Sequence, residues 1–528
     1  MLVLFAGFDA AATSHDHQPG EVDFRISCPA PAQLQFNKAM ALLHHMTYPQ
    51  ARQTFEQVIA SQPDCAMAYW GVAMTLFQPL WPTRPSPAGL RQGWGAIQKA
   101  KALQSSERER LFIGAAEAFY LEPESPDYWL RIRRWEAASR KVYEALPSDQ
   151  EAALFYALAH LATTPANTVT RTNADESAAI LLKVYERSPD HPGVMHYLVH
   201  ANDVPGREHE LLEVTRKYEA IAPNNPHALH MPTHIYTRLG DWDAVIRGNL
   251  RAADAALLHP AGAKGEFVWD EFAHAIEYLV YAYLQQGADS EAATQLQRLQ
   301  STPHIEPTFK TAFHLASTQS RYALERRAWK EAVVIVPRSP DYLDWDRFMW
   351  AEATARFARG LGAAHLHQGE EVQSTVARLQ ELESVARKAG EDLFARNIQV
   401  LRLELTAWAA HEQGQRERCL SLMNEAAALE SATPKHAVTP GPTLPAFELL
   451  GDMHLELKQP TDALTAYQSS LKLYPRRFNS LLGAAHAARD VGDTAAARKY
   501  YQDLIEVAGA GSRKMYLDEA QHYLSAER

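Results

Sequence analysis

The sequence predicts an all-α protein, a right-handed superhelix built from stacked helix–turn–helix repeats. Three observations carry that prediction. Nearly every segment after residue 30 reads as amphipathic helix: Ala, Leu, Glu, Gln and Arg dominate, Gly and Pro punctuate, and alternating β-branched runs are absent. An interval of 34 residues recurs, from His196 to His230, His200 to His234, Pro189 to Pro223 and Pro192 to Pro226. Small, aromatic and proline residues also return at the register of one helical hairpin, first as Ala51, Phe55 and Pro63 and again as Ala463, Tyr467 and Pro475.

That interval is the tetratricopeptide period. Each such unit is a pair of helices that cannot bury its apolar face alone, so it stacks on its neighbours. An N-terminal extension (1–30) precedes the first unit at 32–63, whose first helix ends in ALLHHM with His44 and His45. A second helix follows at 65–77. The QPLWPTRPSPAG segment has too many prolines to be helical throughout, and is either a loop folded over the concave face or a plain connection. Residues 88–147 hold two or three helices, and 151–164 another that presents His160.

Asp190-His191-Pro192 and Asn225-Pro226 are helix starts, each a capping side chain with proline in the first turn. Pro232 falls inside the next helix, between His230 and His234, where it removes a backbone bond at about 3 kcal/mol. A bend is expected there, and it would aim the two histidines. The partner helix spans 238–258. The next first helix, 269–287, shows His274, Glu277, Tyr278 and Tyr281 within about 100° of arc. Helices are expected at 320–335 and 347–369, then an irregular stretch at 431–445, then two closing units. The main superhelix is expected over 31–335 and a C-terminal block over 347–528, with VPRSPDYLDWD (336–346) between them.

A net charge of −11, with no Lys/Arg run or basic-aromatic patch, argues against a nucleic-acid partner. The apolar stretch at 2–8 is too short to span a bilayer, so no membrane role is expected; 12–22 is the one stretch that reads as disordered. Three cysteines cannot build a disulfide framework; Cys28 and Cys65 could pair, but the odd count and sparse usage favour reduced thiols and a cytoplasmic protein.

SCPAPAQLQFNKAMALLHHMTYPQARQTFEQVIASQPDCAMAYWGVAM, DHPGVMHYLVHANDVP, PHALHMPTHIYTRLGDWDAVI and HAIEYLVYAYLQQG resemble a family of bacterial and fungal tetratricopeptide-repeat proteins, over most of the chain up to about residue 335. The resemblance implies an all-helical superhelix and carries no catalytic role across. The residues matching its motifs are His44, His191, His196, His200, His227, His230, His234 and His274, with an acidic residue at Glu277.

His196 and His200 lie about 40° apart around their helix, and His227, His230 and His234 within about 60°. First helices line the concave surface of such a superhelix, so these imidazoles are brought side by side. Neutral imidazole is the commonest metal ligand near neutral pH. His196, His200, His230 and His234 are the leading ligand candidates, followed by His227 and His274, in a mononuclear three- or four-histidine site or, with His44, His160 and His274 added, a dinuclear one. An excess of His over carboxylate points to Cu, Fe or Zn rather than Mg or Ca, and an oxidative role favours Cu or Fe over Zn. Glu277 is the catalytic candidate, as general base, ligand or support for His274. Tyr197, Tyr236, Tyr278, His44 and His160 are candidate substrate-binding residues. Asp203 and Asp241 are either supports for ligands or turn residues, with the turn reading the safer.

The function expected is a metal-dependent oxidoreductase acting on a small molecule in the concave groove, which the insertions at 78–89 and 163–176 would cap. Two alternatives stand beside it: a scaffold binding a peptide or protein partner, and a Zn-dependent hydrolase. No HExxH is present, which argues against a zincin peptidase.

Overall fold

Local signals set several helix starts. The computed structural model describes residues 20–81, 84–125, 127–165, 167–262, 264–508 and 513–526; the apolar stretch at 2–8 and most of 12–22 lie outside them. Ala30–His44 and Tyr48–Ser61 form the first hairpin, with Ala51 and Phe55 fully buried at its seam. Residues 88–147 fold as three helices, Pro87–Ala102, Glu107–Tyr120 and Tyr128–Ala145. Ser106 and Glu109 form a reciprocal capping box at the start of the second of these. The stretch expected as one helix at 320–335 is instead the end of Phe309–Leu324, a turn with Arg327 left-handed at φ 52°, and the short Trp329–Ala332 helix. Between Ala332 and Met349 the described chain forms no α-helix.

The result is an all-α tetratricopeptide-like superhelix. Gln150–Ala162, Pro192–Asn202, Pro226–His230 with Pro232–Leu239, Glu271–Gln285, Phe309–Leu324 and Met349–His365 lie side by side as the inner row. Thr172–Tyr185, Leu212–Ile221, Trp242–Ala256 and Asp289–Ser301 back them. The regular ladder found in sheets is absent among the described residues, which show two isolated bridges, Ala261 with Phe267 and Val268 with Ile305. No helix among them is long and apolar enough to cross a membrane.

The end of the chain returns to its middle. Tyr236, Trp242 and Tyr281 share one core with Phe478, Leu481 and Leu504. The Trp242 indole donates to the Arg476 carbonyl at 2.9 Å. Arg477, fully buried, donates to the Tyr281 hydroxyl at 3.0 Å and is neutralised by Glu325 and Glu448. A buried guanidinium needs such partners, because an unpaired one would cost several kcal/mol. This packing ties the C-terminal helices to the central repeats.

The expectation of reduced thiols is corrected. Cys28 and Cys65 form a disulfide, their Cα atoms 5.3 Å apart. The segment before the first helix folds back over it: Phe24 packs against Phe36 and Trp70, which brings Cys28 to Cys65 at the start of the third helix. Sequence spacing alone could not supply that proximity. Cys419 is a buried free thiol.

Candidate metal centre

The Pro192–Asn202 helix begins with His191 as its cap: Nδ1 accepts from the Gly193 amide at 3.1 Å. His191 therefore has its proton on Nε2 and donates it to Glu151 at 3.0 Å. The other Glu151 oxygen meets His44 Nε2 at 3.0 Å, and His44 Nδ1 meets the Tyr197 hydroxyl at 3.0 Å. A Cβ on Gly193 would lie 2.6 Å from His44, so only glycine lets that ring lie against the helix start. These partnered groups form a platform behind the site, and the His44 carbonyl faces forward to accept from His196 Nδ1 at 2.6 Å.

The next unit starts at Pro226, capped by Asn225, whose side-chain oxygen accepts from the Ala228 amide at 3.0 Å. Pro232 divides the helix in two. Pro226–His230 ends and Pro232–Leu239 begins around Met231, which keeps helical dihedrals (φ −53°, ψ −42°), and Gly240 ends the second piece at φ +68°. Across the break, His230 and His234 turn their Nε2 atoms to within 3.0 Å of one another.

Two groups of three imidazoles result. In the first, His196 Nε2 lies 3.1 Å from His200 Nε2 and 3.2 Å from His227 Nε2. In the second, His230 and His234 converge with His274, all three ligand nitrogens within 4.8 Å of one another. The groups adjoin, with the His227 and His230 ring centres 6.5 Å apart. Two imidazoles bound to one ion at about 2.0–2.1 Å and near-tetrahedral angles stand about 3.3 Å apart. The Nε2 separations are already close to that.

Hydrogen bonds on the far side of the rings fix where the protons are. A carbonyl can only accept, so His196 carries its proton on Nδ1. His230 Nδ1 faces the Asn249 side-chain oxygen at 2.6 Å, and Asn249 is held in that orientation by its amide donating to the Val245 carbonyl. His234 Nδ1 donates to Asp203 at 2.9 Å and His227 Nδ1 to Glu271 at 3.3 Å. His314 donates from Nδ1 to Glu277, so its Nε2 accepts from His274 Nδ1 at 3.0 Å. Five of the six rings thus present a bare Nε2 lone pair toward the centre. His274 Nε2 is buried and has no hydrogen-bond partner in the protein.

Electrostatics favours the same protonation states. Burial, reinforced by neighbouring imidazoles, holds His196, His230 and His274 well below the usual histidine value, and His234 is lowered to about 4 by burial and Lys435. Burial alone would raise the three supporting carboxyls. Lys435 and Arg238 beside Asp203, Lys310 beside Glu271, and His314 and Arg321 beside Glu277 hold each below the usual range instead. Acceptors of this kind orient a ligating imidazole and raise its basicity.

The 78–81 loop lies over both groups. Trp81 is buried, its ring 5.2 Å from His227 and 6.0 Å from His274, with the Lys310 ammonium 4.4 Å from its centre on the cation–π side. His200 is the one half-buried imidazole of the six; the others are buried.

The other expected site residues lie as follows. Tyr278 is at the centre, its hydroxyl 3.5 Å from His234 Nε2 and its ring edge-on to His230. Glu277 does not touch the imidazole centre; it reaches His274 through His314 and also accepts from Ser317 and Arg321. His44 and Tyr197 belong to the platform behind the rings. Tyr236 donates to Glu219 at 2.9 Å, and His160 pairs with Glu176 and Glu136, away from the six rings. Asp203, read as a turn residue, supports His234, whereas Asp241 is a helix cap. His314, Asn249, Glu271 and Trp81 were not anticipated. One signal for His314 existed: it follows His274 by 40 residues, the interval that separates His274 from His234.

Residues 36–78 match the family model described as a tetratricopeptide repeat. No curated protein matches the chain. Among solved structures, the chain is similar to a monomeric mutant of IFIT1 solved with m7Gppp-AAAA, at 12% identity and a TM-score of 0.37, over 84% of this chain and 90% of that one. The chain therefore contains a tetratricopeptide repeat within an all-helical superhelix.

Proposed function

We propose that the protein is a metal-dependent oxidoreductase that acts on a small molecule, with a pair of transition-metal ions held three imidazoles apiece by His196, His200 and His227 and by His230, His234 and His274. One observation carries this reading: in each group two rings whose tautomers are fixed from behind turn their lone pairs on each other, His196 and His227 at 3.2 Å and His230 and His234 at 3.0 Å. Without a cation between them that arrangement is repulsive, and a metal ion relieves it. An all-imidazole set suits copper, and differs from the two-histidine, one-carboxylate triad of non-haem iron enzymes. We therefore place copper first, iron next and zinc last. Two redox-active ions held by these histidines would supply or accept electrons for dioxygen or an organic substrate.

The chain's own residues do the rest. Asp203, Glu271 and the His314–Glu277 pair keep the lone pairs facing inward. Trp81 excludes water from the buried rings, and His200 marks the accessible side. The covered, inward-facing rings also fit a small molecule better than a peptide laid along an open groove. The Cys28–Cys65 bond suits an oxidising compartment, and we place the protein in one rather than in the cytoplasm.

The test is elemental analysis of protein purified without a chelating tag, beside a His230→Ala/His234→Ala variant. Two equivalents of copper or iron per chain, falling to about one in the variant, is the expected result. Zinc alone in both sites would turn the reading to hydrolysis. A wild type that takes up no metal from Cu, Fe or Zn would refute it.

A further inference from the structure

A cavity of about 280 Å³ opens beside the first imidazole group, and His200 is part of its lining. It is assembled from distant parts of the chain: residues 79–81 with Arg84, Leu161 to Pro165 with Thr170, residues 200–204, residues 390–394, and residues 434–437. We infer that this cavity is the substrate pocket of the centre proposed above, and that it takes a small uncharged hydroxy-aromatic compound. The inference rests on that reading for its role in catalysis, but not for its ligand chemistry.

Three features select that class. Leu80, Trp81, Trp129, Leu161 and Phe394 supply an apolar, largely aromatic wall, suited to a flat ring. Four of the five charged carboxylate and cationic side chains in the lining are paired off, Arg84 with Glu391 at 3.2 Å, while stacking over Tyr128 and Trp129, and Lys435 with Asp203 at 3.1 Å; the fifth, Asp392, is exposed and repels an anion. A charged ligand would have to break those pairs. His436 supplies one directional polar group: its Nδ1 accepts from the Val438 amide at 3.0 Å, so its proton is on Nε2, available to a ligand oxygen. Enclosure by the protein, with Arg84 and Lys435 nearby, lowers the ring to about 3 and keeps it neutral.

The same loop joins the pocket to the centre. Lys435 bonds to Asp203, and Asp203 holds His234. The C-terminal half of the chain thus closes the site built by the central repeats.

The experiment is a titration of full-length protein, both metal-free and zinc-loaded so that no turnover occurs, with 4-methylcatechol, benzoate and cyclohexanol as probes. Quenching of tryptophan fluorescence reports occupancy, since Trp81 and Trp129 line the cavity. Saturable 4-methylcatechol binding is expected, at least tenfold tighter than either comparison ligand. His436→Ala should weaken it by up to about tenfold, the loss of one hydrogen bond. Thr164→Trp, which fills the cavity from its rim, should abolish it with metal content and melting temperature unchanged. Benzoate or cyclohexanol binding as well as the catechol, or undiminished binding by a folded Thr164→Trp protein, would overturn the inference. Failure to load metal would instead sink the proposed function, because the metal-free arm reads the pocket alone.

Discussion

Glu277→Gln separates a catalytic carboxylate from one that sets a proton's position two residues away. One Glu277 oxygen accepts from both Arg321 and Ser317, and the other accepts from His314. In the variant, the amide oxygen must stay with the buried guanidinium, because an NH₂ group there would oppose a cation. The NH₂ group then faces His314 and donates to its Nδ1. His314 moves its proton to Nε2 and donates to His274 Nδ1, and His274 is left with its proton on Nε2. That proton occupies the lone pair needed for a metal. Binding would require either that protonation state to reverse or one buried hydrogen bond to go unmade, at about 1–3 kcal/mol. Losses of 10–100-fold for altered support of a ligating histidine correspond to about 1.4–2.7 kcal/mol, the same range. The assay is competition with a chelator of known affinity, with metal counted per chain. One equivalent should weaken by that factor and the other stay unchanged, at an unchanged fold. Unaltered affinity for both, with turnover lost, would refute the relay and make Glu277 a group that acts on substrate.

Three further outcomes follow from the packing. Trp81→Ala should destabilise the protein by about 3 kcal/mol, as for a buried tryptophan replaced by alanine, and speed removal of metal by chelator; thermal melting and a stopped-flow stripping rate check this. Reducing the Cys28–Cys65 bond, or Cys28→Ser with Cys65→Ser, releases a loop of sequence separation 37 and should cost up to about 4 kcal/mol, read as a fall in melting temperature. Glu430 lies in a cavity wall with the fully buried Glu404, and burial raises both carboxyls, Glu430 to about 8. A carboxyl raised on folding contributes its stability fully below the ordinary value of 4.5 and loses it as pH rises through about 8. Chemical denaturation should therefore show stability falling by a few kcal/mol over that window, and Glu404→Gln should flatten the fall.

What the sequence determined by itself was periodic. The 34-residue interval, the helix caps at Asn225-Pro226 and the proline between His230 and His234 are local features, so the helices, their stacking and the pairs four residues apart could be read directly, whereas His227, read with His230 and His234, lies instead with His196 and His200. Helical geometry puts residues four apart on one face whatever the rest of the chain does. Tertiary structure decided what each imidazole nitrogen faces. His44 and His160 are both histidines on the repeat helices, yet one sits behind the rings and the other pairs with Glu136 and Glu176, because Glu151 and Glu176 reach them from neighbouring helices. The supports Asn249, Glu271 and His314, the covering Trp81, the Lys435 tie and the Cys28–Cys65 bond join segments up to 232 residues apart. No local pattern encodes such contacts. They depend on how far the superhelix turns per repeat, a sum of many small packing angles that brings the end of the chain back onto its centre.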